Sequence, residues 1–182
     1  MKSHTAVCFL FALFGVRVAM AASCVELLDS ASRADLSLSV RQFDQDAKAG
    51  WRALQDAGCI EEAGTLIDRY LIGYESNLRT LLWHRSQLSA MSGKYAQAVD
   101  LARRSLNPVE AQQHPKFKWN AYVLATIAFL QEDKEELARQ RSVIEMAMAE
   151  EPLNEVNLSI VKGLERCFKS PYQKAYSCEG TP

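Results

Sequence analysis

Apolar residues between Val40 and Phe168 recur at intervals of three or four positions, which is the spacing of one face of an α-helix. No segment alternates apolar and polar residues for long, so the pattern predicts an all-α protein. Breaks at Gly58, Gly93 and Pro108 separate successive helices. Seven helices are predicted, over residues 40–54, 60–74, 78–91, 95–106, 117–130, 133–152 and 153–168.

The turns within successive helix pairs are very short, which requires antiparallel neighbours. The turn sequences also repeat. Gly58 is followed five residues later by Ala63, and Gly93 by Ala98, while Glu132 takes the glycine position in a degenerate third copy. The three turns are 35 and 39 residues apart, and a helix–turn–helix unit recurring at about 34 residues is typical of a tetratricopeptide array.

The chain resembles the tetratricopeptide repeat family, most closely through Gly93, Tyr95, Ala98, Ala102 and Pro108. The resemblance implies antiparallel helix pairs stacked as a short right-handed α-solenoid with a C-terminal capping helix. The alternative is a plain helical bundle with small residues at its close contacts. The repeats are expected at about 44–77, 78–115 and 116–152, with the capping helix and tail at 153–182.

Residues 1–21 have the pattern of a secretory signal peptide rather than of a folded element. A charged start precedes an apolar run at 6–16, and Ala19-Met20-Ala21 supplies a peptidase site. The run is too short to cross a bilayer. We therefore expect cleavage after Ala21 and a single soluble domain, 22–182, in the periplasm or the medium. Alternatively, the weak lipobox that ends at Cys24 would leave the protein lipid-anchored through this residue.

Four cysteines remain after cleavage, namely Cys24, Cys59, Cys167 and Cys178. An even number in an exported chain favours two disulfides, for which three connectivities exist. Ser170-Pro171 lies between the last two cysteines and favours a turn that joins them, which leaves the first two to pair. Pairing between the N-terminal and C-terminal cysteines would instead require the ends of the array to meet. The spacings fit no zinc motif, so no metal is expected.

The composition and the motifs of the sequence exclude several functional classes. The formal net charge is −1, which gives no bulk electrostatic basis for binding nucleic acid. The sequence contains none of the common motifs of metalloproteases, serine hydrolases, P-loop proteins or dinucleotide-binding enzymes. These observations favour a non-enzymatic protein that uses no cofactor.

The family resemblance implies that the first helix of each pair lines a concave groove. Such a groove would be basic at one end and aromatic at the other, which suits an extended peptide. The alternative is that its aromatic residues belong to the core. The implied groove residues are Lys48, Arg52, Trp83, His84, Gln87, Trp119, Tyr122 and Thr126.

Two functions are therefore expected. The first is an exported adaptor that binds a protein or peptide partner in the cell envelope. The alternative is an inhibitor or immunity protein that blocks a secreted or periplasmic enzyme.

Overall fold

A computed structural model describes residues 22–73, 78–113 and 115–178. The expected signal peptide, residues 1–21, lies outside these ranges. The described residues form α-helices and contain no β-strand, which confirms the all-α prediction. The helices are α1 (Cys24–Ala34), α2 (Val40–Gln45), α3 (Gly50–Asp56), α4 (Ile60–Ile72), α5 (Arg79–Met91), α6 (Tyr95–Arg104), α7 (Glu110–Gln113), α8 (Trp119–Leu130), α9 (Lys134–Met146), α10 (Asn154–Arg166) and α11 (Tyr172–Tyr176).

Neighbouring helices pack in pairs: α3 with α4, α5 with α6, and α8 with α9. The first pair contacts the second through α4 and α5, the second contacts the third through α6 and α8, and α9 of the third pair contacts α10. The three pairs fall within the ranges predicted for the three repeats. None of the helices in the described part of the chain is both long and apolar enough to span a membrane.

The turns of the three pairs share one backbone conformation. Gly58, Gly93 and Glu132 have positive φ values of 82°, 73° and 58°. In the second turn, the Gly93 amide donates to the Ala90 carbonyl at 3.0 Å and the next amide donates to the Ser89 carbonyl at 2.8 Å. The same two hydrogen bonds recur in the other two turns, and together they define a Schellman motif. The turn alignment therefore corresponds to a real structural repeat.

Small side chains allow the helices to approach closely. Ala63 and Ala98 are fully buried, and the Ser86 hydroxyl reaches across its pair to donate to the Ala98 carbonyl at 2.7 Å. A Cβ at Gly64 would lie 2.9 Å from the Arg85 guanidinium, so the absence of a side chain makes room for this buried arginine. Arg85 in turn pairs with Asp68 at 3.0 Å.

The N-terminal part of the fold differs from the prediction. The helix expected over 40–54 is broken into α2 and α3, because the backbone becomes extended at Asp46, with ψ 121°, and α3 begins only at Gly50. Gly50 has φ 59°, and a Cβ there would lie 2.2 Å from the Phe43 carbonyl oxygen, so this position requires glycine. Helices α1 and α7 were not predicted. Helix α1 begins with a capping box formed by Ser23 and Glu26, which is a signal readable in the sequence.

Helix α9 shows a smaller difference. Asp133 caps it, accepting from the Glu136 amide at 2.9 Å, and the Glu136 side chain accepts from Gln140. The helix ends at Met146, before the predicted limit at Pro152.

Two disulfides close the ends of the stack. Cys24 is bonded to Cys59 and Cys167 to Cys178, which confirms the expected pairing. After α10 the chain folds back, as predicted from Pro171, and α11 packs against both α10 and α5. A Cβ at Gly163 would lie 3.0 Å from the Ala175 carbonyl oxygen, so α10 and α11 are in close contact.

Candidate functional site

The aromatic end of the predicted groove is part of the core. Trp83 and Tyr122 are each 3% exposed and Thr126 is 1% exposed. The Trp83 ring packs edge-on against Tyr122 and Trp119, with centroids 5.0 and 5.8 Å apart. Trp119 is half-buried, and its indole nitrogen donates to the Ser105 carbonyl at 3.0 Å. Trp83, Tyr122 and Thr126 are therefore core residues, and Trp119 lies at the edge of this core.

The C-terminal helix α11 covers this end. Tyr172 is fully buried, and its ring lies 6.2 Å from that of Phe129 on α8. The Tyr172 amide donates to the Tyr95 hydroxyl at 3.3 Å. Burial raises the pKa of Tyr122 well above its usual value, and the nearby hydroxyls of Tyr172 and Tyr176 add to this rise. Tyr122 and Tyr172 are therefore buried as neutral phenols.

The basic end of the predicted groove remains open. A cavity of about 280 Å³, here called the open pocket, lies between α3, α5 and α11. Three predicted groove residues line it, namely Arg52, His84 and Gln87, whereas Lys48 is exposed in the loop between α2 and α3. The remaining lining residues are Trp51, Gln55, Leu88, Met91 and Tyr176.

A buried carboxylate beneath the open pocket holds its polar wall in place. The Asp44 Oδ1 atom lies 2.7 Å from Nδ1 of His84 and accepts from the Trp51 indole at 3.2 Å. Gln45 donates to Oδ2 at 2.6 Å. Burial raises the pKa of Asp44, but the hydrogen bond and charge of His84, with the bonds from Gln45 and Trp51, outweigh burial and lower the pKa overall. Asp44 is therefore an ionised acceptor.

The orientation of His84 follows from this contact. Because ionised Asp44 can only accept, Nδ1 of His84 carries a proton. The other ring nitrogen, Nε2, has no hydrogen-bond partner among the described residues and lies on the opposite side of the ring. The open pocket thus receives an oriented imidazole. Sequence reasoning selected His84 but missed Asp44, since 40 residues separate them and no local motif joins them.

Two contacts also fix the position of the Arg52 side chain. Its Nε donates to the Asp44 carbonyl oxygen at 2.5 Å, and its guanidinium carbon lies 4.2 Å from the centre of the Trp51 ring. Its terminal nitrogens have no hydrogen bond or ion pair within the described part of the chain. A cation stacked on an aromatic face keeps its plane fixed while its free donors stay available.

The lining of the open pocket combines charged, polar and apolar side chains. Its lining provides a cation, two amides and an imidazole, but no serine, threonine or cysteine that the Asp44–His84 pair could activate as a nucleophile. In the described ranges, the one group with metal-ligand spacing is Cys24, Cys59 and Glu62. Its two sulfurs form a disulfide and so cannot act as thiolate ligands.

Comparison of the chain with protein-family models, curated proteins and solved structures found no match. The functional proposal therefore rests on the sequence and the geometry.

Proposed function

We propose that this chain is an exported, non-enzymatic adaptor that binds a protein or peptide of the cell envelope through the open pocket. The observation that carries the proposal is the fixed polar wall of this pocket. Asp44 orients His84 and Trp51, and Trp51 supports Arg52. Binding groups that are already oriented lose little conformational freedom when a ligand arrives, so such a wall favours recognition.

Two further observations support parts of the proposal. The Schellman turns at Gly58, Gly93 and Glu132 favour a tetratricopeptide-like array, a scaffold suited to holding peptides on its concave face. The two disulfides are compatible with an oxidising compartment outside the cytoplasm.

Site-specific photo-crosslinking tests the binding site. A photoreactive residue at Gln55, in the open pocket, is expected to capture a partner from the envelope fraction, whereas one at exposed Glu155 on α10 is not. Arg52→Gln should lower the yield of the Gln55 adduct. The matched control is Arg69→Gln, because Arg69 lies on α4, contacts Ser32 and does not line the pocket.

The outcomes separate the functions. Equal capture from both positions, or a yield that Arg52→Gln leaves unchanged, contradicts a binding role for the open pocket. If the captured partner is an enzyme whose activity falls when the protein is added, the protein is an inhibitor or immunity protein rather than an adaptor.

The proposed export has its own test. Intact-mass analysis should give a chain that begins at Ala22 with both disulfides formed. A lipid on Cys24 and the disulfide to Cys59 exclude each other, because both use the same sulfur. A lipid adduct on Cys24 would therefore show that the protein is anchored to a membrane and would contradict the proposed soluble form.

A further inference from the structure

Helix α11 lies across the same face of the repeat helices that a peptide partner would use. It packs on α5, Tyr172 contacts Phe129 of α8, and Tyr176 lines the open pocket beside residues of α3. These three helices are the first members of their pairs. This five-residue helix thus contacts the second and third repeats and borders the open pocket beside the first, on the face predicted to be the groove.

The contacts of α11 are those of a ligand with two anchors. Tyr172 and Tyr176 are four residues apart, so they lie on one face of the helix, and their ring centroids are 5.6 Å apart. Between them, Gln173 and Lys174 are exposed, whereas Ala175 is fully buried on the side of α10. Aromatic anchors at i and i+4 on one face, with exposed residues on the opposite face, are the pattern of a short helix bound in a groove.

The docking of α11 is also incomplete. The Tyr172 hydroxyl is buried without a hydrogen-bond partner among the described residues. Burial raises the pKa of Tyr172, and the side-chain amide of Gln87 partly opposes this rise. The amide and the hydroxyl nevertheless form no hydrogen bond of ordinary geometry. A buried polar group without a partner favours the state in which water can reach it.

We infer that α11 is an intramolecular ligand that occupies part of the groove, and that the natural partner displaces it with a short helical segment carrying two aromatic residues at i and i+4. This inference rests on the proposed function. It adds the chemistry of the partner and a reason why the aromatic groove residues are buried: the chain itself fills their site.

A peptide added in trans tests the inference. The probe is the amide-capped, acetylated peptide of residues 170–177, and its reference is the same peptide with both tyrosines replaced by alanine. The full-length variant Tyr172→Ala/Tyr176→Ala removes the two anchors of α11 while the Cys167–Cys178 disulfide remains. The matched control is Gln173→Ala/Lys174→Ala, which changes the exposed residues of the same helix.

We expect the probe to bind the Tyr172→Ala/Tyr176→Ala variant at least ten-fold more tightly than the wild-type protein or the control. The reference peptide should not bind. Equal affinity of the probe for all three proteins, or no binding to any of them, overturns the inference.

Hydrogen exchange on the wild-type protein keeps the inference testable if the double variant does not fold. The Lys174 and Ala175 amides, which donate to the Pro171 carbonyl, should exchange at least ten-fold faster than interior amides of α5. Exchange of α11 only at the rate of α5 would make α11 a permanent part of the core and overturn the inference. The proposed function would survive that result if Gln55 still captures a partner.

Discussion

The two ends of the predicted groove use similar residues in opposite ways. At the open end, Trp51 supports a half-buried arginine beside a cavity; at the closed end, Trp83 packs among aromatic rings beneath α11. Both tryptophans are buried, and each lies on the first helix of its pair. The difference arises from their surroundings. Trp51 contacts the side chains of Arg52 and His84, which line a cavity. Trp83 packs against Trp119 and Tyr122, and Tyr122 in turn lies close to Tyr172 and Tyr176 of α11. Accessibility of a repeat surface therefore depends on the rest of the chain as much as on the repeat itself.

The largest effect is expected from Trp83→Ala at the closed end. Truncation of a buried aromatic side chain leaves a cavity, so the free energy of unfolding should fall by about 3–5 kcal/mol. Chemical denaturation measures this change. A variant that unfolds like the wild type would show that Trp83 is not core and would return it to the binding surface.

Asp44→Asn should have the next largest effect, since it removes the charge that accepts from His84. Hydrogen bonds to a charged group contribute about 1.5–3 kcal/mol, so a loss of that order is expected at neutral pH. Asp46→Asn, in the exposed loop that follows α2, is the control and should change little.

The same variant gives a prediction for pH dependence. Because the pKa of Asp44 is lowered by folding, the stability it contributes is present above its unfolded pKa of about 3.9 and is lost as the pH falls through the lower folded value. The difference between wild type and Asp44→Asn should therefore shrink below about pH 4. Denaturation curves that stay equally far apart at all pH values would contradict this assignment.

Glu132→Gly should stabilise the third pair by about 1 kcal/mol, because glycine adopts a positive φ without the steric cost that glutamate pays. Glu132→Ala is the control. It removes the same exposed ion pair with Lys169 but keeps a side chain at φ 58°. A gain in melting temperature from alanine as well as glycine would assign the effect to charge rather than to the backbone.

Arg52→Gln at the open end should change the free energy of unfolding by less than about 1 kcal/mol, the scale of an exposed cation–π contact. Its main effect should be on partner capture. Thermal denaturation of this variant and its crosslinking yield, measured together, separate the effect on stability from the effect on binding. If Arg52→Gln lowered the free energy of unfolding as much as Trp83→Ala, Arg52 would be a core residue and the two ends of the groove would not differ.

Helical periodicity predicted most of the fold, because α4, α6 and α10 have an apolar face that sequence alone reveals and α8 is apolar on almost every side. The break between α2 and α3 at residues 46–49 could not be predicted in this way, since the helical spacing of apolar residues continues across it. The residues of the candidate site were predicted in part. The resemblance to tetratricopeptide repeats pointed to Arg52, His84 and Gln87, which line the open pocket. The roles of Asp44 and of α11 could not be predicted, because they depend on contacts between distant segments of the chain.

The positions of the disulfides set how far the chain can lengthen under force. The cysteines of the Cys24–Cys59 disulfide are 35 residues apart in the sequence, and those of the Cys167–Cys178 disulfide are 11 residues apart. When the chain is pulled by its ends, neither loop can add to its contour length. At about 3.4 Å per residue, and after subtraction of the 5.4 and 6.3 Å that the bridged Cα atoms still span, the oxidised protein should extend by about 145 Å less than the reduced protein in a single-molecule pulling experiment.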